Sequence, residues 1–216
     1  MLCLFLVYLS IFSAANTERL PVSCGQIRQI VDSHNFKRTM AARGLIPRQP
    51  AASNMKFMVW DEELAEKAAR WAENGQFIHN QDRTVPSQRW NLVGENLYIS
   101  KFYSTIDVKV IPKFEDALNA WFEEHWKYGF EPYTLEAAKR IGHYTQMIWA
   151  NSTRVGCGIS QTKKGRMTTT LYVCNYGPTG NWIGQTPYQP SPFRNCVRCN
   201  RGDCENLYGI YCSYKI

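Results

Sequence analysis

Two histidines and two glutamates lie among apolar or glycine-rich neighbours, which is uncommon for ionisable side chains. His143 follows Gly142 and opens an apolar helix turn, and His79 follows two apolar residues just past a predicted helix. Glu95 lies in a Gly-Glu-Asn-Leu run, and Glu124 lies on the apolar stripe of another predicted helix. Burying a lone charge is costly, so the pattern predicts a partner for Glu124 without naming it. Either histidine alone is more typical of a satisfied core or capping residue.

If the fold brings these two imidazoles and two carboxylates together, they support three kinds of chemistry. They can ligate a divalent metal, for which imidazole favours zinc. They can form a hydrogen-bonded ion network that ties a sheet to helices, or they can act as general bases. The chain has no Gly-x-Ser-x-Gly elbow and no His-Glu-x-x-His helix. Metal binding or a structural network is therefore favoured, no catalytic residue is predicted, and a metal-assisted hydrolase remains an alternative.

The elements that must position these side chains follow from hydrophobic patterning. Helical periodicity predicts helices at residues 25–42, from the N-cap Asp61 onward, at about 112–126 and at 143–149. Segments rich in β-branched and aromatic residues predict extended structure at residues 91–99, 155–160 and 168–175, with a hairpin loop at 163–166. Helices mixed with a small antiparallel sheet predict an α+β fold.

The beginning of the chain is typical of a secretory signal peptide. Residues 1–12 form an uncharged apolar run that is too short to span a bilayer comfortably, and residues 13–15 are small, as a signal peptidase requires. We expect a signal peptide over residues 1–15. No second apolar run of membrane-spanning length follows, so we expect a secreted, extracellular protein that is not transmembrane.

The cysteines predict a disulfide-bonded protein. Seven of the 8 lie beyond the predicted signal peptide, and cysteines pair in an oxidising compartment. Cys157 and Cys174 lie on the two predicted strands, where a disulfide is sterically plausible. An odd number leaves one over. Cys24, alone near the mature N-terminus, is the candidate, either as a free or buried thiol in a monomer or as an intermolecular link in a dimer.

After residue 186 the composition changes from that of a folded domain to that of a short tail rich in proline and cysteine. Residues 187–216 begin with three prolines in a stiff linker, and the remainder is too small to hold its own hydrophobic core. Disulfides must therefore fix it, through Cys196, Cys199, Cys204 and Cys212.

The surplus of positive charge favours acidic partners. The net charge is +7 and the isoelectric point is about 9.0, which suits an anionic surface such as glycosaminoglycan or anionic lipid. The basic residues are scattered, with no run of five, so nucleic-acid binding is not predicted. An ordinary solvated surface is the favoured interpretation.

A single N-glycosylation sequon begins at Asn151. Modification requires that this side chain faces solvent, and the sequence is equally compatible with a sequon that is not used.

Two runs in the second half of the chain carry a family resemblance. Residues 142–149 and 171–182 mix ionisable or sulfur-containing residues with aromatics and glycines, and they resemble the two signature motifs of the CAP superfamily: cysteine-rich secretory proteins, antigen 5 and pathogenesis-related proteins. Asn35 and Arg38 fit the family's first-helix pattern, and the resemblance spans roughly residues 30–182. It implies a secreted CAP domain over residues 16–186, built as an α-β-α sandwich, with a short cysteine-rich tail.

The resemblance also implies that the four ionisable side chains meet. In CAP proteins a histidine after the second helix, the glutamate of Gly-Glu-Asn, the glutamate of Trp-aromatic-x-Glu and the histidine of the first signature converge in one cleft. These are His79, Glu95, Glu124 and His143 here. The histidines would hold a divalent cation, with zinc expected, and the glutamates would orient them or bridge through water. Gly75 stands where many relatives carry a cysteine, so a usual disulfide near His79 is missing.

An aromatic loop resembles the caveolin-binding-type motif of sterol-binding CAP relatives. It carries Trp126, Tyr128, Phe130 and Tyr133 around a glycine and a proline. Flat rings on such a loop can cover a sterol, or they can seal the core. The resemblance implies a non-enzymatic binding protein for sterol or another lipid, with an immunomodulatory role. Fatty-acid binding, seen in some relatives, has no motif that this sequence can test.

The tail contains Arg201-Gly202-Asp203, the tripeptide that integrins recognise. Flanking cysteines could present it rigidly and lower the ordering cost of binding. Chance and ordinary turn chemistry are the favoured explanation, because glycine and aspartate are common in turns. An integrin-directed effector stays as an alternative function.

Four tail cysteines allow three pairings, and the sequence alone does not choose among them. Relatives with a hinge of this kind join the first cysteine to the third and the second to the fourth. The resemblance therefore implies Cys196–Cys204 and Cys199–Cys212.

Overall fold

The computed structural model describes residues 16–200 and 202–212, so the predicted signal peptide and Arg201 lie outside the described residues. The helices are α1 (Cys24–Ala42), α2 (Glu62–Ala72), α3 (Phe114–Glu123), α4 (Leu135–Met147) and α5 (Gly209–Cys212). The strands are β1 (Asn16–Leu20), β2 (Ala51–Ala52), β3 (Val59–Trp60), β4 (Gly94–Tyr103), β5 (Arg154–Lys164), β6 (Met167–Gly177) and β7 (Pro190–Ser191). Short 3₁₀ helices lie at Glu124–Lys127 and Asp203–Asn206. Of the helices in this described part, none is long and apolar enough to cross a membrane.

The central sheet is antiparallel in the order β1-β5-β6-β4, and β3 joins β5 in parallel. Helix α2 packs on one face, where Ala68 and Ala72 contact Leu171 and Val173 in one apolar cluster. Helices α1 and α3 pack on the opposite face. The period-2 alternation of β6 explains why it contributes to both clusters. The predicted α+β fold and its α-β-α sandwich are confirmed.

Glycine allows α2 to lie directly on β5. A Cβ atom at Gly156 would stand 2.1 Å from the backbone nitrogen of Ala65, and one at Gly158 would stand 2.3 Å from Cα of Ala69. Because no real Cβ makes such contacts, any larger residue here would push the helix off the sheet.

The helix starts follow capping chemistry. Ser23 and Gln26 form a capping box ahead of α1, and Asp61 accepts the Leu64 backbone N–H at 3.0 Å ahead of α2, as predicted. The prediction for the fourth helix was wrong in its bounds: α4 begins at Leu135, capped by Thr134, and ends at Met147. Its first six residues bury only Ala137, so their apolar periodicity is weak.

The disulfides correct two predictions. Cys157–Cys174 forms across β5 and β6 as expected. Cys24 is not the unpaired residue: it bonds to Cys212, 188 residues away.

Within the tail, neither implied pairing forms, because Cys199 bonds to Cys204, five residues away. The unpaired cysteine among those described is Cys196, which is exposed.

These corrections have one physical cause, which is that the tail folds back on the domain. β7 pairs with β2, and α5 packs beside the start of α1. Leu207 and Tyr208 pack against the same apolar core as Cys212. The tail's apolar residues thus share the domain's core, and that brings Cys212 to Cys24.

Candidate metal-binding cleft

Four elements hold the predicted histidines and glutamates. His79 lies in the loop after α2, Glu95 is the second residue of β4, Glu124 opens the 3₁₀ helix after α3, and His143 lies in α4. His79, Glu95 and His143 line one cavity of about 440 Å³. Glu124 stands behind His143 and contacts it. The structure therefore brings all four together around one cleft.

The loop-side pair is His79 and Glu95. The His79 Nδ1–H donates to Glu95 Oε1 at 2.8 Å, and the Asn80 backbone N–H donates to the same oxygen at 3.0 Å. The other Glu95 oxygen lies 3.4 Å from Nδ2 of Asn175. One carboxylate thus fixes both the ring and the backbone after it.

The helix-side pair repeats this contact. The His143 Nδ1–H donates to Glu124 Oε1 at 2.7 Å, and the Tyr144 backbone N–H donates to Glu124 Oε2 at 3.0 Å. The partner that periodicity required for Glu124 is therefore His143. The imidazole also stacks on Trp121, with ring centroids 6.0 Å apart and planes 19° apart.

The carboxylates are more buried than the imidazoles they hold. Side-chain exposure is 3% for Glu95 and 14% for Glu124, against 59% for His79 and 32% for His143. Each acid is thus a support beneath a ring that reaches solvent.

A buried chain of hydrogen bonds supports the cleft from behind. Asn96 donates to the His143 carbonyl at 3.1 Å and to the Tyr176 hydroxyl oxygen at 3.2 Å. The Tyr176 hydroxyl in turn lies 3.0 Å from Nε2 of His34, whose Nδ1–H donates to the Ile30 carbonyl. Full burial, with Lys37 and Arg38 nearby, lowers the pKa of His34 to about 3. His34 is therefore neutral and accepts from Tyr176.

Sequence patterns alone did not single out these supporting residues. Asn96 and Tyr176 lie inside motifs that carry the family resemblance, as do Gln146 and Asn181, which line the cavity. Asn181 donates to the Gly142 carbonyl at 2.8 Å, and Gln146 accepts the Gly180 N–H at 3.0 Å. The sequence feature that could have identified them is that they are polar residues within otherwise apolar or glycine-rich motifs.

The donor set fits a divalent cation held by imidazole. Carboxylate support at Nδ1 fixes the tautomer and leaves the Nε2 lone pair available, which is the usual support of a zinc-bound histidine. Within residues 16–200 and 202–212, neither Nε2 atom of His79 or His143 has a hydrogen-bond partner. No cluster of three or more His, Cys, Asp or Glu ligands exists in the same ranges. The protein would therefore supply two nitrogens and leave the other positions to water.

The predicted lipid loop divides into buried and exposed aromatics. Tyr128 and Tyr133 are buried in the apolar cluster that includes Tyr144. Burial raises the pKa of Tyr128, and its hydroxyl donates to the Glu131 carbonyl at 2.7 Å. Trp126 is 54% exposed, and Phe130 is partly buried. Two of the four rings thus seal the core.

The predicted integrin motif is anchored at its acidic end. The Asp203 carboxylate accepts from Arg154 at 2.5 Å, and Gly202 adopts a left-handed conformation just before the 3₁₀ helix. Receptor binding through Asp203 would first require this ion pair to open.

The predicted glycosylation site meets the requirement that its asparagine faces solvent. Asn151 is exposed, whereas the following Ser152 and Thr153 are buried. Its use stays a prediction.

Comparison with known proteins gives the family. Residues 13–176 match the profile of the cysteine-rich secretory protein family, CAP. The chain is 36% identical to cysteine-rich secretory protein 3 of Equus caballus over 197 residues, 87% of this chain and 70% of that protein. It is 33% identical to salivary antigen-5 of Dipetalogaster maximus, over 87% of this chain and 74% of the relative. The chain therefore belongs to the CAP family.

A solved structure of a similar protein agrees with this fold. The crystal structure of NaASP2 with Zn²⁺ superposes with a TM-score of 0.63 at 29% identity, covering 85% of this chain and 94% of that one. A relative named as a secretory protein and another named as a salivary antigen, together with three disulfides among the described residues, agree with an extracellular protein.

Proposed function

We propose that this protein is a secreted, non-enzymatic CAP protein whose cleft binds a divalent cation, zinc by preference, through His79 and His143. The observation that carries the proposal is the repeated contact: each imidazole is held at Nδ1 by a more buried carboxylate, and both rings line one cavity. The similar protein NaASP2 has been crystallised with Zn²⁺, which supports the choice of metal. Two protein ligands leave an open, exchangeable coordination sphere.

A hydrolase is less well supported. Among the described residues that line the cavity there is no serine or cysteine, the nucleophiles that a neighbouring histidine most often activates. Metal-assisted attack by water would remain, and it predicts turnover that disappears in His143→Ala. A binding role needs no such turnover.

Calorimetric titration with zinc chloride tests the proposal. We expect saturable binding of one zinc per chain in the wild-type protein. His79→Ala and His143→Ala should each weaken it by at least about 100-fold, because loss of a supporting group alone costs 10- to 100-fold. His125→Gln is the matched control, since His125 is buried outside the cleft and bonds to the Phe122 carbonyl.

A zinc affinity unchanged in both cleft variants, with correct folding confirmed by circular dichroism, would refute the proposed site. A change in His125→Gln equal to that in the cleft variants would show a global effect instead.

Lipid carriage is a second candidate, and the exposed Trp126 favours it. Its indole is 54% exposed on the predicted sterol loop, and its carbonyl accepts from Arg48. Trp126→Ala tests this, whereas Tyr128→Ala would disturb the core. We expect reduced sterol binding in Trp126→Ala, with Trp182→Ala as an exposed-tryptophan control outside the loop. Equal binding by both variants and the wild type would remove the loop from the proposal.

A further inference from the structure

One end of the central sheet combines exposed apolar side chains with positive charge. Five large apolar residues there each expose between 38% and 73% of their area: Phe102, Tyr103, Ile106, Val108 and Ile111. Five exposed cations accompany them: Lys101, Lys109, Lys163, Lys164 and Arg166. We call these ten residues the basic apolar patch. Contiguous exposed apolar surface on a soluble domain marks an interaction site.

The backbone holds both parts of the patch at the same end of the sheet. Phe102 and Tyr103 end β4 and pair in register with Thr168 and Met167 at the start of β6. The Ser104 N–H donates to the Arg166 carbonyl at 3.0 Å, which ties the loop after β4 to the β5–β6 hairpin.

The same loop continues across the hairpin. Ile106, Val108, Lys163 and Arg166 line a shallow hollow of about 180 Å³. Gln161 of β5 donates to the Val110 carbonyl at 3.0 Å. The apolar and basic residues thus cluster at one end of the sheet, where the loop after β4 lies against the β5–β6 hairpin.

Charge selects the kind of partner. Within residues 101–111 and 163–166 the one acidic residue is Asp107, and Lys163 already binds it. A symmetric dimer through this patch would bring the cations of two copies together, which is unfavourable. A soluble polyanion would use the cations but leave the five apolar side chains in water.

An anionic bilayer can bind both the cations and the apolar side chains of the patch. Acidic phospholipid headgroups attract lysine and arginine, and apolar side chains enter the boundary between headgroups and acyl chains. We propose that the basic apolar patch docks this protein on membranes rich in anionic phospholipid, independently of the cleft.

Vesicle flotation tests the proposal on the full protein. We expect binding to vesicles of phosphatidylcholine mixed with phosphatidylserine and none to phosphatidylcholine alone. Lys164→Ser with Arg166→Ser should lower the partition coefficient by about fivefold per cation removed. Ile106→Ser with Ile111→Ser should lower it by at least about tenfold, because their burial is lost.

Two control variants lie elsewhere. Phe193→Ser removes a side chain that is 75% exposed, near the C-terminal end of α1, where the Asn195 N–H donates to the Ala42 carbonyl. The patch lies near the other end, where Gln26 donates to the Pro112 carbonyl. Arg140→Ser removes an exposed cation of α4. Both should bind vesicles as the wild type does.

Three results would overturn the proposal. One is equal binding to neutral and anionic vesicles or to neither. Another is wild-type binding by the isoleucine variant, which would show that charge alone acts, as for a soluble polyanion. The third is a dimer, measured by light scattering, that the patch variants abolish without any vesicle binding in the wild type. Thermal melts of each variant establish that it is folded.

Discussion

The two halves of the cleft make the same contact with different elements. On one side a loop histidine, His79, rests on a strand glutamate, Glu95; on the other a helical histidine, His143, rests on Glu124 from a 3₁₀ helix. In both halves the carboxylate also accepts the backbone N–H after the histidine. The repeated contact holds each Nδ1 and leaves each Nε2 for a ligand.

The halves differ in how many other contacts fix the ring. His143 is built into α4 and stacks on Trp121, whereas His79 is 59% exposed in a loop and depends on Glu95. The comparison indicates a preorganised helical half and a loop half that one carboxylate positions.

The largest effect on the free energy of unfolding should come from the hydrogen bonds that support both halves from behind. Asn96, which follows Glu95, donates to the His143 carbonyl and to the Tyr176 hydroxyl oxygen. The Tyr176 hydroxyl in turn donates to His34. The unfolded chain protonates His34 near pH 6.5, whereas the folded protein does so only near 3. The stability that neutral His34 contributes is therefore complete above pH 6.5 and falls as the pH drops toward 3.

Urea unfolding between pH 6.5 and 5 measures this effect. The wild type should lose up to about 1.4 kcal/mol per pH unit more than His34→Gln does. If the free energy of unfolding falls with pH equally in the two proteins, the pKa of His34 is not lowered in the folded state.

The largest effect on zinc affinity tests whether the halves share one ion. If they do, His79→Ala and His143→Ala each lower zinc affinity by at least about 100-fold, and the double variant loses little more, because the effects of coupled residues do not add. Titration of the four proteins completes the cycle. Additive losses, or two zinc ions per wild-type chain, would indicate two separate sites.

Substitution of the two glutamates should lower zinc affinity by different amounts in the two halves of the cleft. Glu95→Gln and Glu124→Gln each remove a supporting charge, which costs about 10- to 100-fold in metal affinity. We expect the larger loss for Glu95→Gln, since His143 keeps its stacking on Trp121 and His79 has no such contact in the described structure. Zinc titration of both variants measures the two losses of affinity. A larger loss in Glu124→Gln would contradict the claim that His79 depends on its carboxylate more than His143 does.

The smallest effect is on metal-free stability. His143→Ala removes the Trp121 stacking as well as the Glu124 hydrogen bond, whereas His79→Ala removes only the Glu95 hydrogen bond, so the former should cost about 1 kcal/mol more. Thermal melting in chelator should show a melting temperature about 2–4 °C lower for His143→Ala than for His79→Ala. Equal melting temperatures in the two variants would contradict the contrast between the halves.

Local patterns predicted the elements well where apolar periodicity was strong. The helix over residues 25–42, the Asp61 cap and the strands at 155–160 and 168–175 all correspond to observed elements. The start of α4 was not predicted, because a single buried residue among its first six carries little periodicity.

Contacts between distant segments could not be read from local pattern. Periodicity required a partner for Glu124, but only the family resemblance connected it to His143, 19 residues away. The Cys24–Cys212 bond depends on the tail packing across the domain, and no spacing rule along the chain reports that packing.

The most direct test of the shared cleft is anomalous diffraction at the zinc absorption edge from crystals grown with zinc. A single shared ion predicts one peak per chain at about 2.0–2.1 Å from Nε2 of both His79 and His143. A peak beside only one of these rings, one peak at each, or none at either would contradict it.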